Sequence, residues 1–469
     1  MTLRSVNPAN GRVLREYAEH SPGEVERRLN AAVEAFEGWR RSRLEERADV
    51  LREAARVLER DLDTHAYLIV EEMGKPLAQA EQEVHKCVKG LRYAAEKGPA
   101  VLAPRPLEEG VCVIPEPLGP LLGIMPWNFP YWQAVRFTAP ALLAGNVILL
   151  KHASNVTGCL LALEEVFSAA ASEPLFQALA LPSARVGAVI RDERIRGVSL
   201  TGSETAGRKV GAEAAGALKP VVLELGGSDP FIVLADAPLE AAAKAAARGR
   251  CVNSGESCIA AKRFFVHESL YNDFVEAFAH EMATKRVGDP LQEETEVGPL
   301  AREDLREAVE RQVEASVEAG AHVVTGGRRL AGPGYYYEPT VLVDVRLDMP
   351  VMAEEVFGPV APVMPFQDEA QAVALANATR YGLGAAIWTT DLDRGRRVAR
   401  RLAAGMVFVN DIVASDPSRP FGGVKASGFG RELGEEGFRA FVNLKTEVVR
   451  PPPGPRSARG RGERLPAVE

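Results

Sequence analysis

The segment Val221-Val222-Leu223-Glu224-Leu225-Gly226-Gly227 is a short, β-branched apolar run that ends in a carboxylate and two glycines. A run of this length bounded by glycines predicts a buried strand. Similar runs occupy residues 121–125, 147–150, 197–200 and 231–234, and stretches with helical spacing separate them. This alternation of strands and helices predicts an α/β fold with doubly wound parallel sheets.

The bulk properties narrow the class of protein. A chain of 469 residues is long enough for two large domains and a smaller element. The net charge of −8 opposes a general affinity for nucleic acids or acidic membranes. The 5 cysteines are an odd number without a CxxC pair, so neither a disulfide framework nor a zinc site is indicated. No secretory or membrane-spanning segment is evident, which predicts a cytoplasmic protein.

Local patterns predict several further elements. Ser21-Pro22-Gly23-Glu24 is a capping-box pattern that predicts the start of a helix. Apolar residues at helical spacing predict a second helix over 44–73 and a third over 77–97. Two extended runs around Glu108-Glu109-Gly110 predict a hairpin over 105–114.

The stretch Asn253-Ser254-Gly255-Glu256-Ser257-Cys258-Ile259-Ala260-Ala261-Lys262 contains the candidate nucleophile, Cys258. Small neighbours and a glycine turn leave the sulfur reachable and the backbone N–H free to bind an oxyanion. Free cysteines are often buried, so an inert core thiol is the alternative.

Three other motifs give this thiol a chemical context. They are Met125-Pro126-Trp127-Asn128-Phe129-Pro130, Val222 to Gly227, and Glu354-Glu355-Val356-Phe357-Gly358-Pro359. Together with the cysteine stretch, in this order, they resemble the aldehyde dehydrogenase superfamily from about Asn7 to Lys445. Residues 150–155 and 223–233 look most similar to the bacterial NAD(P)-dependent succinate-semialdehyde dehydrogenases.

The resemblance implies an aldehyde dehydrogenase-like architecture with two doubly wound parallel-sheet domains and a small β element for oligomerisation. The expected boundaries are a dinucleotide-binding domain at 1–103 and 118–226, a catalytic domain at 227–440, the oligomerisation element at 104–117 and 441–450, and a disordered Pro- and Arg-rich tail at 451–469. The family also implies a homodimer or homotetramer.

The resemblance assigns the chemistry to three residues. Cys258 attacks the aldehyde, and the Asn128 amide together with the Cys258 backbone N–H stabilises the resulting alkoxide. Glu224 is the general base that activates water to hydrolyse the thioester. All three positions are filled, which argues against a catalytically idle protein. A nucleic-acid-binding role has only the Arg-rich tail to support it.

The same resemblance assigns the cofactor, NAD or NADP. Lys151 is expected at the adenosine ribose, Ser203 at the pyrophosphate from a helix N-terminus, and Glu355 and Phe357 at the nicotinamide ribose. The other expected cofactor-binding residues are Trp127, Ser154, Thr201, Gly202 and Leu225. Ser154 does not carry the carboxylate that would repel a 2′-phosphate, so we expect NADP to be accepted, alongside NAD.

The substrate follows from two further matches. Arg136 and Ser415 occupy the positions that hold the distal carboxylate in succinate-semialdehyde dehydrogenases, and an arginine suits this task. Val252 replaces another arginine found in some members, which weakens this interpretation. One alternative is that Arg136 forms an internal salt bridge and the protein is a broad-specificity aliphatic or aromatic aldehyde dehydrogenase. Another is that a thiol replaces water in resolving the thioester, which would give an acyl-CoA product.

Two residues depart from the usual family pattern. Glu256 replaces a glutamine, and we expect its carboxylate to raise the pKa of Cys258 and slow alkylation unless the side chain points away or is paired. His152 replaces a proline, and either a structural or a functional role fits it.

Overall fold

The structure, a computed structural model, describes residues 2–452. Apart from its first two residues, the predicted disordered tail at 451–469 lies outside the described part. The strands are β1 (Thr2–Val6), β2 (Val13–Ala18), β3 (Arg105–Glu108), β4 (Val111–Pro117), β5 (Pro120–Met125), β6 (Val147–His152), β7 (Phe176–Ala178), β8 (Gly197–Thr201), β9 (Val221–Glu224), β10 (Asp229–Val233), β11 (Ala261–His267), β12 (His322–Thr325), β13 (Thr340–Val343), β14 (Val360–Phe366), β15 (Gly384–Trp388), β16 (Met406–Val409), β17 (Gly428–Phe429) and β18 (Val442–Val448).

The α-helices surround the sheets. They are α1 (Pro22–Trp39), α2 (Leu44–Arg60), α3 (Leu62–Met73), α4 (Leu77–Val101), α5 (Trp132–Leu143), α6 (Thr157–Ala170), α7 (Val186–Arg191), α8 (Glu204–Gly216), α9 (Leu239–Cys251), α10 (Tyr271–Ala283), α11 (Glu303–Glu318), α12 (Pro350–Ala353), α13 (Glu369–Asn377), α14 (Leu392–Ala399) and α15 (Gly434–Arg439). Within residues 2–452, none of them is long and apolar enough to cross a membrane.

The first large sheet has six strands in the order β17-β9-β8-β5-β6-β7. All neighbouring pairs are parallel except β17 with β9. Its central strands β5, β6 and β8 are buried along their whole length, as expected for a parallel sheet covered on both faces. The four strands predicted between residues 121 and 225 are therefore confirmed, and the three-residue strand β7 was too short to be predicted.

The second large sheet has seven strands in the order β12-β13-β14-β11-β10-β15-β16. Only β12 runs antiparallel to its neighbour. The chain leaves the first sheet after Glu224 and enters the second at Asp229, on either side of the two glycines where a crossing was predicted. The exact domain boundaries remain a prediction.

The helix predictions hold with one correction. Helix α1 begins at Pro22, and the Ser21 side chain accepts a hydrogen bond from the Glu24 N–H. The expected single helix over 44–73 is wrong, because the chain breaks at Asp61 into α2 and α3. The third predicted helix is α4, which continues past residue 97 to Val101.

A small three-stranded antiparallel sheet has the order β18-β4-β3. The predicted hairpin is β3–β4, and β18, which pairs with β4, lies within residues 441–450 of the predicted oligomerisation element. Most of β18 is exposed, with Leu444 at 53% and Val448 at 55% exposure. One edge of β18 has no partner strand among residues 2–452.

Candidate active site

Cys258 borders a cavity of about 210 Å³ between the two large sheets. The cavity walls are mainly apolar, and helices α4 and α5, the cysteine stretch and the loop after β16 contribute to them. The lining side chains used below are Lys86, Phe129, Trp132, Arg136, Cys258, Ser415 and Phe421. A mainly apolar cavity with a few polar groups and a thiol is the usual form of a small-molecule site.

The backbone before Cys258 has an unusual conformation. Asn253, Ser254 and Gly255 all have positive φ, at 53°, 54° and 79°. A Cβ at Gly255 would lie 2.4 Å from the carbonyl carbon of Gly358, so the turn requires glycine. Strained backbone of this kind is typical of sites where a side chain must be held in a fixed position.

Lys262 lies behind the nucleophile. Its Nζ donates hydrogen bonds of 2.8 Å to the backbone carbonyls of both Ser257 and Cys258. Burial raises the pKa of the Cys258 thiol to about 11, although the positive charges of Arg136 and Lys262 oppose this shift. The thiol is therefore protonated at neutral pH and must lose its proton before it can act as a nucleophile.

Asn128 ties the asparagine loop to the cysteine loop. Its Nδ2 donates to the carbonyl of Glu256 at 3.0 Å, and its Oδ1 accepts from Gln133 Nε2 at 3.0 Å. Asn253 Nδ2 donates to the Asn128 carbonyl at 2.8 Å. One of the two N–H groups of the Asn128 amide is thus used by Glu256, which leaves the second as a donor for a bound oxyanion.

The Glu256 side chain does not act on Cys258 as its sequence position suggested. Both carboxyl oxygens accept from the Ala301 N–H, at 3.1 and 3.2 Å, and the residue is fully buried. Burial raises the pKa of Glu256 well above its usual value, whereas the largest charge effects on the pKa of Cys258 come from Arg136, Lys262, Glu355 and Asp229. The expected effect on the thiol is therefore corrected, because the carboxyl group is paired elsewhere.

Glu224 lies at the end of β9 and outside the cavity lining. Neither carboxyl oxygen has a hydrogen-bond partner within residues 2–452, and a Cβ at Gly422 would lie 2.6 Å from Oε1. Burial, and then the nearby Glu432 carboxylate, raise the pKa of Glu224 well above its usual value. A raised pKa favours the protonated form, so this carboxyl group must lose its proton before it can act as a general base, and perturbed buried groups of this kind are common in active sites.

Arg136 is buried, and its charge is already neutralised. Its Nε lies 2.5 Å from Glu432 Oε2, its Nη2 donates to Thr201 Oγ1 at 3.0 Å, and its guanidinium lies 4.5 Å from the Phe421 ring centroid. The residue borders the cavity but is only 3% exposed. The observed contacts therefore match the alternative in which Arg136 forms an internal salt bridge. Its partner, Glu432, is distant in the sequence and does not lie on the helix of Arg136.

Ser415 lies where a substrate contact was expected, together with a residue that the sequence did not single out. Lys86 Nζ donates to Ser415 Oγ at 2.7 Å, and Trp132 Nε1 donates to the same oxygen at 3.1 Å. All three residues line the cavity. The signal for Lys86 was weak, because one lysine in a helix is normally a surface residue.

The residues assigned to the adenosine end of the cofactor, Lys151 and Ser154, lie at the carboxyl end of β6. Lys151 is buried, which lowers its pKa, and its Nζ contacts Ser183 Oγ at 3.3 Å without an ion-pair partner among residues 2–452. Ser154 is exposed nearby. A cation without a carboxylate beside an exposed hydroxyl fits a phosphate-bearing ribose.

The helix expected to face the pyrophosphate is present. Ser203 is the N-cap of α8, and its Oγ accepts from the Ala206 N–H at 3.3 Å. Gly202 precedes it, and the Thr201 hydroxyl is engaged by Arg136. The other N–H groups of this first helical turn provide a site of the kind that binds phosphate.

The residues assigned to the nicotinamide end lie at the junction of the sheets. Glu355 Oε1 accepts from the Gly227 N–H at 3.0 Å and lies 3.4 Å from Lys262 Nζ. Phe357 packs edge-on against Trp127, with ring centroids 5.7 Å apart. Leu225 is buried and donates its N–H to the Ser427 carbonyl.

His152 has a structural environment. Its Nε2 lies 2.7 Å from the Pro130 carbonyl and its Nδ1 lies 3.3 Å from the Met125 carbonyl. The ring therefore connects the two ends of the loop that carries Asn128. Burial lowers the pKa of His152 to about 4, so the ring is neutral at physiological pH.

Comparison with known proteins agrees with this arrangement. The model of the family described as "Aldehyde dehydrogenase family" matches residues 1–447. The succinate-semialdehyde dehydrogenase [NADP(+)] 1 of Mycobacterium tuberculosis H37Rv is 47% identical over 95% of this chain and 99% of its own length. The Mycobacterium leprae succinate-semialdehyde dehydrogenase [NADP(+)] is 46% identical over the same shares.

Solved structures show the same fold. The succinic semialdehyde dehydrogenase of Streptococcus pyogenes in complex with NADP+ superposes with a TM-score of 0.93 at 34% identity, covering 95% of this chain and 99% of that one. The succinate-semialdehyde dehydrogenase of Burkholderia pseudomallei superposes with a TM-score of 0.92 at 36% identity, covering 96% and 94%. The sequence motifs, the two sheets, the thiol cavity and these similarities lead to one conclusion: the chain belongs to the aldehyde dehydrogenase family.

Proposed function

We propose that this protein oxidises succinate semialdehyde to succinate with NADP or NAD, through a covalent intermediate on Cys258. The observation that supports this most strongly is the 47% identity, over 95% of the chain, to a relative named for that reaction. Cys258, Glu224 and Asn128 are all present in this chain, in the surroundings described above.

The chain's own groups supply the steps on the substrate. The Cys258 thiol gives its proton to water, and the thiolate sulfur attacks the aldehyde carbon to form the alkoxide of a thiohemiacetal. The alkoxide that forms accepts hydrogen bonds from the free N–H of Asn128 and from the Cys258 backbone N–H. The bound dinucleotide supplies a hydride acceptor, which leaves a thioester on Cys258.

Hydrolysis then regenerates the enzyme. Glu224 removes a proton from water, which attacks the thioester carbonyl and releases the carboxylic acid and the thiol. In the structure, Glu224 lies outside the cavity lining, so this step requires its side chain to rotate toward Cys258. Its two unpaired oxygens leave it free to rotate without breaking a hydrogen bond.

The cofactor preference rests on the surroundings of Lys151 and Ser154. No carboxylate stands three residues after Lys151, where one would repel a 2′-phosphate, and Lys151 itself has no acidic partner within residues 2–452. NADP is therefore accepted, and NAD is accepted as well.

We also propose that the protein is a cytoplasmic homo-oligomer, either a dimer or a tetramer. The unpaired edge of β18 supports this, because exposed strand edges with apolar side chains pair readily with another chain. The family resemblance supports a second copy of this chain as the partner.

Steady-state kinetics test the proposal. Succinate semialdehyde, hexanal and benzaldehyde are each assayed with NADP and with NAD, with and without coenzyme A. Saturation with succinate semialdehyde alone, and no acyl-CoA product, supports the proposal. The broad-specificity alternative is supported by the ion pair of Arg136 with Glu432, because a paired arginine is less available to a substrate carboxylate. Equal kcat/KM values for the three aldehydes would establish that alternative instead.

A further inference from the structure

We propose that Lys262 orients and polarises the Ser257–Cys258 peptide unit, whose N–H stabilises the alkoxide formed from the aldehyde. The inference rests on the proposed function, which it deepens by adding a positioning residue to the reaction on Cys258. It follows from the groups that accept the hydrogen bonds of this buried lysine.

The Ser257 carbonyl and the Cys258 N–H belong to one planar peptide unit. The carbonyl accepts from Lys262 Nζ at 2.8 Å and from the Ala260 N–H at 3.2 Å, so both of its lone pairs are engaged. These two contacts fix the plane of the peptide and with it the direction of the N–H. Within residues 2–452, the Cys258 N–H donates to no backbone carbonyl, so it is free to bind an oxyanion.

Lys262 acts through this peptide and not on the substrate. It is 1% exposed and lies outside the cavity lining, to which Ser257 and Cys258 belong. Its Nζ also donates to the Cys258 carbonyl at 2.8 Å, whereas Glu355 Oε1 lies further away, at 3.4 Å. The two backbone carbonyls of the cysteine stretch therefore take the shorter contacts, and neutralising Glu355 does not account for the position of the ammonium group.

The charge of Lys262 adds to this geometric effect. A carbonyl that accepts from a cation is polarised, which makes the N–H of the same peptide unit a stronger donor. Burial lowers the pKa of Lys262, and the carboxylates of Glu355 and Asp229 oppose this shift and favour the charged form. Because the ammonium group is buried, its charge is poorly screened and acts on negative charge that develops beside the peptide.

That negative charge appears in the first covalent step. The Cys258 thiolate forms the C–S bond, and the electron pair of the carbonyl double bond moves to the aldehyde oxygen. This oxygen then accepts from the Cys258 N–H and from the Asn128 amide. A correctly directed Cys258 N–H therefore stabilises the alkoxide, while alkylation of the same sulfur produces no alkoxide and does not need that N–H.

The next residue in β11 offers a matched control. Arg263 is fully buried, and its guanidinium donates to three backbone carbonyls outside the cysteine stretch, those of Ser228, Leu375 and Ala376. Arg263→Met therefore removes a buried cation and its hydrogen bonds from the adjacent position without touching the Ser257–Cys258 peptide. Lys262→Gln is the conservative variant, since it keeps N–H donors but loses the charge.

The test compares two reactions of the same sulfur. One is oxidation of the aldehyde with the highest kcat/KM at saturating cofactor, and the other is alkylation by iodoacetamide, followed by loss of activity. Both require the thiolate, so a change in the pKa of Cys258 cancels in the ratio of the two rate constants. Lys262→Met should lower this ratio by about 10- to 100-fold, because support of one oxyanion donor is lost. Lys262→Gln should lower it less, and Arg263→Met should leave it unchanged.

A role in packing alone predicts a different order of the variants. Methionine fills the apolar volume of lysine without burying a polar group, so Lys262→Met would then be at least as active as Lys262→Gln. That order, an unchanged ratio in Lys262→Met, or an equal fall in Arg263→Met overturns the inference. If Lys262→Met does not fold, the double variant Lys262→Met/Glu355→Gln is compared with Glu355→Gln, because it leaves neither member of that ion pair buried alone.

The same data separate the two proposals. A wild-type enzyme that oxidises no aldehyde, or a Cys258→Ser variant with wild-type activity, contradicts the proposed function and the inference with it. An active wild-type enzyme whose ratio survives in Lys262→Met contradicts the inference alone.

Discussion

Glu256 illustrates how the direction of one side chain changes a prediction. Its sequence position suggested that a carboxylate two residues from Cys258 would raise the pKa of the thiol. In the structure the carboxyl group accepts from the Ala301 N–H, and its own pKa is raised by burial. We therefore expect iodoacetamide to alkylate Cys258 at the same rate in the Glu256→Gln variant as in the wild type between pH 6 and 9. A faster rate in the variant would contradict this.

Glu224 has its effect after hydride transfer. We expect Glu224→Gln to produce one equivalent of reduced cofactor at a near-normal rate and then to turn over at least about 100-fold more slowly, because the thioester lacks its general base. Rapid mixing that follows absorbance of the reduced dinucleotide measures both phases. The exposed Glu435→Gln is the control, and loss of the first phase in Glu224→Gln would contradict the assigned role.

At this scale, the sequence was sufficient for groups whose neighbours are close in the chain. The cysteine and asparagine loops were predicted from their own motifs, and the structure brings them together through the Asn128–Glu256 hydrogen bond. The state of Arg136 was not predictable, because Glu432 is almost 300 residues away. Lys86 was missed for a similar reason, since its contact with Ser415 joins two segments that are more than 300 residues apart in the chain.

Among the elements, the start of α5 depends on a buried ion pair. Glu83 Oε1 accepts from the N–H groups of Tyr131 and Trp132, while Oε2 pairs with Lys75, whose Nζ lies 3.9 Å from the Phe129 ring centroid. Removing one member leaves the other charge buried, so Glu83→Gln should lower the free energy of unfolding by about 3–5 kcal/mol. Urea denaturation measures this, and the double variant Lys75→Met/Glu83→Gln should lose less than the single one.

His152 makes the asparagine loop sensitive to acid. Its pKa is about 4 in the folded protein and near 6.5 when unfolded, so the unfolded chain binds more protons between these values and stability falls as pH falls through them. Between pH 7.5 and 5, we expect wild type to lose about 2 kcal/mol more than His152→Gln. Chemical denaturation at both pH values checks this, and equal losses would show that the histidine is not the cause.

Over the whole molecule, the alternation of strands and helices was enough to predict an α/β fold and the first sheet. The strands of the second sheet beyond β10 were not predicted one by one, because their pairing joins segments from residue 229 to residue 409. The break between α2 and α3 was missed because the apolar spacing continues across Asp61. The periodicity therefore predicted that a helix or strand is present better than it predicted where that element ends or which element it pairs with.

The proposed oligomer depends on the outer edge of β18. The Val449 N–H donates to the Gly110 carbonyl, so these two residues form a hydrogen-bonded pair between β18 and β4. Such pairs alternate with pairs that are not hydrogen-bonded, and Leu444, opposite Pro115, which has no N–H, belongs to the second kind. Thr446 also belongs to the second kind, so its N–H points away from β4. Thr446→Pro should therefore remove a hydrogen bond between subunits and leave the β18–β4 pairing intact. Sedimentation should show a smaller species than for Thr446→Ala, and an unchanged mass would place the interface elsewhere.

The short strand β17 determines how the protein should behave when the chain is divided into two fragments. Residues 428 and 429 belong to the second half of the sequence, but they pair with β9 and form the edge of the first sheet. A fragment ending after Gly227 would expose the β9 edge, including the strand that carries Glu224, and should aggregate. The two halves should accordingly recover activity only when they are co-expressed and associate, and a protease cut between them should leave the halves bound to each other.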